Sequence, residues 1–226
     1  MKIGIAKLDG LLKGGFREPS NVLLIGPPGV EKLVFGMQFV NQGLAEKQPC
    51  IYITTDKTPL EIENQSGEYG MRLFSHTNRG LRFVDCYSWT LEKPPQRRSD
   101  ILVPGPSSLN DLSIGITQAM QEAFKPEAKV RGVLQSVSTL LLYNNPEVVC
   151  RFLQVIGARL KAANSTTVFL LDEGMHDEKV IATMKHLMDE VVEIKSEGER
   201  FTLRVPTSGL EKWVGFKLGK TGIEFP

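Results

Sequence analysis

Asn21-Val22-Leu23-Leu24-Ile25-Gly26-Pro27-Pro28-Gly29-Val30-Glu31-Lys32-Leu33 is the stretch on which the reading of this chain turns. Its first half is an apolar run entering a Gly/Pro turn, which predicts a buried strand. Beyond the turn, Leu33, Met37, Val40 and Leu44 recur at helical spacing. A strand, a glycine-bearing turn and a helix form the setting of the phosphate-cradling motif G-x-x-x-x-G-K-[ST]. In that motif backbone N–H groups and the helix N-terminus surround the phosphates, the lysine reaches the terminal ones, and the hydroxyl holds Mg²⁺. Gly26 and Lys32 stand in register with it, and Gly29 lies in the turn between them. The glycine before the lysine is replaced by Glu31, however, and the hydroxyl position is Leu33.

Both replacements oppose the chemistry. Glu31 adds a side chain and a negative charge where the backbone must wrap an anion. A like-charge contact near 4 Å costs on the order of 4 kcal/mol at an effective dielectric of about 20, roughly a thousandfold in affinity. Leu33 cannot coordinate magnesium. Taken alone, the loop reads equally well as a glycine–proline turn with Lys32 solvated on the first turn of a helix.

The rest of the chain alternates short apolar runs with amphipathic stretches. Strands are expected at Cys50–Thr54, Leu81–Asp85, Val130–Gln135 and Thr166–Leu171. Helices are expected over 59–69, from Pro146 through Leu160, and around Val180 to Met188. After Glu190 the segments VVEIK, FTLRVP, WVGFKL and GIEF read as strands separated by turns. Strands alternating with helices predict a mostly parallel sheet covered on both faces, with the closing strands as an antiparallel extension. One domain is expected over 1–226: a lead-in segment 1–20, an α/β core 21–190 and C-terminal strands 191–226. Leu91 to Asn110, with Pro94, Pro95, Pro104, Pro106, Arg97 and Arg98, reads as a long exposed loop.

Composition narrows the function classes. The 226 residues carry 27 basic and 26 acidic side chains, a net charge of +1, which gives no clear nucleic-acid signal. No signal peptide or long apolar span is evident, so no membrane association is expected. Cys50, Cys86 and Cys150 are odd in number and far apart, which suits reduced thiols in a cytoplasmic protein.

Gly4-Ile5-Ala6-Lys7-Leu8-Asp9-Gly10-Leu11-Leu12-Lys13-Gly14-Gly15-Phe16 resembles the signature that precedes the phosphate loop in KaiC-type and RadA-type members of the RecA superfamily. Gln38-Phe39 and Gly43-Leu44 are similar to that family's first helix, Ile51-Tyr52-Ile53 to its second strand, and Ser136 to Leu141 to the segment after its Walker B strand. The resemblance implies a RecA-like fold over nearly the whole chain. It also implies ATP chemistry, and it allows each catalytic position to be checked. Where the family carries an acidic pair that activates water, this chain has Asp56-Lys57, and a charged ammonium cannot accept a proton. Where the Walker B aspartate orients magnesium, it has Gln135, a poor partner for a hard cation. Where a K-x-R element reaches a neighbouring nucleotide, it has Pro206 and Ser208 within Arg204-Val205-Pro206-Thr207-Ser208.

The expectation is therefore a degenerate nucleotide site formed by Gly26, Gly29, Glu31, Lys32, Leu33, Asp56, Lys57 and Gln135, with no catalytic residue and no bound cofactor or metal. Glu31 and Lys32 are expected to pair with each other or with Asp56 and Lys57, filling the phosphate position with protein charges. The leading function is a pseudo-ATPase that acts through protein association, with itself as a homo-oligomer or with an active KaiC/RadA-like paralogue. Two alternatives are a switch that binds ATP or ADP weakly through Lys32, and a slow ATPase using displaced acids such as Asp56, Asp172 or Glu173. Glu173, His176, Asp177, Glu178 and His186 match no zinc spacing, and an exposed polar turn leading into a helix accounts for them. Trp89 and Trp213 read as packing residues, or as aromatics at an oligomer contact.

Overall fold

A computed structural model describes residues 1–77, 79–91, 100–123, 128–198 and 200–226. In chain order they form α1 (Ala6–Leu11), β1 (Asn21–Gly26), α2 (Val30–Ala45), β2 (Cys50–Thr54), α3 (Pro59–Glu68), β3 (Leu81–Asp85) and β4 (Ile101–Leu102). Then come α4 (Leu109–Ala123), β5 (Val130–Gln135), α5 (Val137–Tyr143), α6 (Pro146–Ala162), β6 (Ser165–Asp172) and α7 (Glu178–Leu187). The chain closes with β7 (Glu190–Glu197), β8 (Arg200–Val205), β9 (Leu210–Gly219) and β10 (Gly222–Glu224).

Among the described residues the strands make one ten-stranded sheet, in the order β10-β9-β8-β7-β1-β6-β5-β2-β3-β4. Every residue of β1, β2 and β5 is buried, as strands covered on both faces must be. Alternation along each strand divides the core in two. Val22, Leu24, Tyr52, Val133 and Leu170 face α2 and α3 on one side. Leu23, Ile25, Ile53, Leu134 and Phe169 face α4, α5, α6 and α7 on the other. The lead-in segment packs on the α2 side, with Phe16 against the rings of Phe35 and Phe39 at centroid distances of 6.2 and 6.0 Å. Its double glycine has a steric cause. Gly15 sits at φ 97° with the Met1 carbonyl where a Cβ would project, so no other residue fits without displacement.

Arg131, fully buried at the start of β5, ties several elements together. Its guanidinium donates to Glu46 Oε2 at 2.8 Å, to Gln48 Oε1 at 2.6 Å, and to the carbonyls of Phe39 and Lys2. It also stacks over the Phe39 ring at 4.8 Å. Five polar and aromatic partners offset the desolvation of one cation. α3 starts on a capping box, with Thr58 Oγ1 accepting from Glu61 N and the Glu61 carboxylate accepting from Thr58 N.

Three expectations need correction. The closing strands are not all antiparallel: β7 pairs with β1 in parallel, Val22 opposite Glu190, and only β8, β9 and β10 run antiparallel. The α7 crossover supplies the length that a parallel connection requires. Nor is 91–110 an exposed loop throughout. Ile101 and Leu102 pair in parallel with Val84 and Asp85, Val103 is buried, and a fifteen-residue helix begins at Leu109. Pro94, Pro95, Arg97 and Arg98 lie outside the described residues. Finally, Trp89 is 57% exposed and does not pack in the core. Trp213 is half-buried, with Lys195 Nζ at 4.5 Å and the Arg204 guanidinium at 4.6 Å from its ring centre.

Candidate functional site

The carboxyl ends of the parallel strands meet where an open α/β sheet places its ligands. Sheet register sets Gly26 of β1 beside Asp172 of β6, and Thr54 of β2 beside Gln135 of β5. The turn after β1 leads into α2 through Gly29, whose backbone is extended and which gives the helix no side-chain cap.

Lys32 lies buried, 4% exposed, in the first turn of α2. Its ammonium contacts Asp172 Oδ1 at 3.1 Å and Glu31 Oε1 at 3.4 Å, and donates to the Pro27 carbonyl. Three oxygens of the same chain thus surround the ammonium, two as hydrogen-bond acceptors and Asp172 as an ion-pair partner. Glu31 is 2% exposed, and its carboxylate folds back against Gly29 so closely that a Cβ on that glycine would overlap it. The surface that would cup an anion is thus occupied by the chain's own anion. Leu33 points the other way, 5% exposed within the core cluster on the α2 side. The position that holds a metal hydroxyl in the motif is here part of the hydrophobic core.

A second chain of contacts runs through Gln135. Tyr52 OH donates to its Oε1 at 2.6 Å, and its Nε2 donates to Asp56 Oδ1 at 2.9 Å. Loss of hydration raises the Asp56 pKa, and the nearby Asp172 charge adds to the rise, while Lys57 and the Gln135 hydrogen bond oppose it. Lys57 turns its carbonyl to Thr54 Oγ1 at 2.6 Å. Among the described residues no ion pair links Glu31 or Lys32 to Asp56 or Lys57. Glu31 and Lys32 pair with each other, and the third member is Asp172.

Asp172 was legible in sequence only as a displaced acid. Its role follows from the parallel register of TTVFLLD beside NVLLIG, which carries the last residue of β6 to the loop. Ser138 Oγ fixes it further by accepting from the Asp172 amide at 2.8 Å. Pro206 and Ser208 lie in a single 3₁₀ turn, where Ser208 donates to Glu190 and Thr207 Oγ1 accepts from Val191 N at 3.0 Å. Arg204 pairs with Glu193 at 2.6 Å. Among the described residues no three His, Cys, Asp or Glu side chains are placed to hold a metal ion. Glu173, Asp177, Glu178 and His186 are exposed and His176 is half-buried. No helix among the described residues is long and apolar enough to cross a membrane.

A parallel sheet with a glycine-bearing loop between β1 and α2, extended by antiparallel strands, defines a RecA-like domain of the P-loop class. A family model described as the KaiC ATPase matches residues 1–204, and the chain belongs to that family. It is 25% identical over 193 residues to a UPF0273 protein of Methanopyrus kandleri, covering 84% of this chain and 74% of that one. It is 30% identical over 167 residues to the circadian clock oscillator protein KaiC of Parathermosynechococcus lividus, covering 73% of this chain and 29% of that protein. Its fold is similar to the crystal structure of the KaiC-like protein PH0186 from Pyrococcus horikoshii, at a TM-score of 0.78 and 17% identity, covering 100% of this chain and 98% of that one.

Proposed function

We propose that this KaiC-like domain is a pseudo-ATPase that acts through association with a protein partner rather than by hydrolysing ATP. The observation that carries the reading is the buried Lys32 ammonium, paired with Glu31 and Asp172, with Glu31 lying against Gly29 where a phosphate would sit. A nucleotide entering this loop must displace a carboxylate from its lysine partner and then meet the same negative charge. Magnesium finds no hydroxyl at Leu33. At Gln135 the side-chain oxygen already accepts from Tyr52. Water activation falls to Asp56 alone, beside a lysine. A RecA-like surface that has lost its chemistry still offers the faces through which such domains pack, which supports a regulatory or structural role in an assembly with itself or with an active paralogue.

One observation favours a second reading, a weak nucleotide-binding switch. The amide end of α2 has no side-chain cap, so a ligand strong enough to swing Glu31 aside meets free N–H groups. Phosphate release from Mg·ATP separates turnover from both readings. The expected rate equals the protein-free background. Turnover that scales with protein concentration and disappears in Asp56→Asn overturns the pseudo-ATPase assignment.

A further inference from the structure

Asp85 ends β3 at the carboxyl edge of the sheet, with Thr54 of β2 beside it in register and Leu102 of β4 on its other side. It is fully buried, and so is Ser88, which opens the short 3₁₀ turn Ser88–Thr90. One oxygen of the Asp85 carboxylate is well matched: Oδ1 accepts from Tyr87 N at 3.0 Å and from Ser88 N at 2.9 Å. The other is not. Oδ2 is enclosed by protein without a hydrogen-bond partner, and the same holds for the Ser88 hydroxyl. These two oxygens do not meet each other, since a hydroxyl within reach of a carboxylate would donate to it. Among the described residues no cation forms an ion pair with Asp85.

A carboxylate withdrawn from water needs both hydrogen bonds and an opposite charge to offset its lost hydration. Backbone amides supply the first here, and nothing in the described chain supplies the second. Two unmatched oxygens in one turn, one of them charged, suit a ligand that is positive and takes oxygen donors. The neighbouring hydroxyl agrees with that sign. Thr54, buried in the same row, donates its proton to the Lys57 carbonyl at 2.6 Å and has only lone pairs left to offer. Charge and enclosure narrow the class. One carboxylate balances a single positive charge, and magnesium keeps several waters for which fully enclosed side chains leave no room.

We infer that Asp85 and Ser88 hold a single alkali cation, sodium or potassium, at the carboxyl end of β3. The inference stands apart from the pseudo-ATPase reading, because β6, β5 and β2 separate this strand from β1 and its loop. Trp89, next to Ser88 and 57% exposed, reports on the turn that the ion would brace. The full chain is dialysed into choline chloride and titrated with sodium or potassium chloride at constant ionic strength. Thermal melting is read on the wild type, and tryptophan emission on Trp213→Phe, in which Trp89 is the one tryptophan. At least one of the two ions is expected to raise Tm and shift the emission saturably, where choline does neither. Asp85→Asn keeps an oxygen for the two amides but removes the charge, and is expected to abolish both responses. Ser88→Ala is expected to raise the midpoint ion concentration roughly tenfold. Circular dichroism checks folding, and Ser88→Ala carries the test alone if Asp85→Asn does not fold. Equal behaviour in sodium, potassium and choline would assign a water to the two oxygens and overturn the proposal. An ion response left unchanged by either folded variant overturns it as well.

Discussion

The Lys32 ammonium donates to Pro27 and Glu31 and forms an ion pair with Asp172, all within this chain. That accounting is local and so are its consequences. Replacing Glu31 by glycine removes the occupying charge and leaves Lys32 held by Asp172 and Pro27. Metal-independent binding of ATP is therefore expected to strengthen by up to roughly a thousandfold, read by fluorescence of a labelled nucleotide. Adding Leu33→Ser supplies the missing hydroxyl but deletes a buried side chain, at a cost of about 2–4 kcal/mol in stability. Thermal melts should show that loss even where binding improves. Glu193 gives a pH prediction. Burial alone would raise its pKa, but hydrogen bonds from Lys185 at 2.5 Å and Arg204 at 2.6 Å outweigh it, and the net shift is downward from 4.5. A carboxylate depressed in the folded state stabilises above its unfolded pKa, and that contribution fades as pH falls through the folded value. Glu193→Gln should cost about 1 kcal/mol at neutral pH, a modest figure because both cations remain partly in solvent. The wild-type advantage should shrink below about pH 4.5, measured by urea unfolding at pH 7 and pH 3.5. At this scale Glu31, Lys32 and Leu33 announce themselves in sequence because the motif fixes their spacing. Asp172 does not, because only strand register brings it to the loop.

Elements are legible to the degree that their own periodicity marks them. The residues of β1, β2, β3 and β5 match the apolar runs read from sequence, because strands covered on both faces are mainly apolar even where Arg82 and Arg131 interrupt them. α4 escaped because Pro104 and Pro106 mark a loop just upstream. Its inward positions Leu112, Ile116 and Ala119 are also spaced among Ser, Thr and Gln, so the stripe is faint. The direction of β7 escaped for a different reason. A strand's pattern carries its faces but not its orientation, which here depends on the α7 crossover. Arg131 gives the test of how the elements hold together. It joins β5 to the lead-in segment, to α2 and to the turn before β2. Arg131→Ala leaves the Gln48 side chain and two carbonyls short of a donor around a cavity, and is expected to destabilise by about 3–5 kcal/mol. Chemical denaturation reads that loss directly. On α3, Thr58→Ala removes half of the capping box and should cost about 1 kcal/mol, or roughly 2–4 °C in Tm for a domain of this size.

The whole molecule keeps the scaffold of its family, and the side chains of its loop contact one another and the core. Gly15 still makes the tight approach to Met1 that the double glycine implies. Gln38 of the first helix accepts from Ile223 N at 2.8 Å and so fastens β10 to α2. Those positions hold the fold, and the resemblance rests on them. The positions read as the degenerate nucleotide site have partners within the chain: Glu31 with Lys32, Leu33 with the core, Gln135 with Tyr52 and Asp56. Calorimetric titration of the purified chain with ATP, with and without magnesium and beside Glu31→Gly, tests the central claim most directly. A self-occupied loop predicts no heat from the wild type up to millimolar nucleotide and measurable binding by the variant. Micromolar binding of Mg·ATP by the wild type, unchanged by Glu31→Gly, would contradict it.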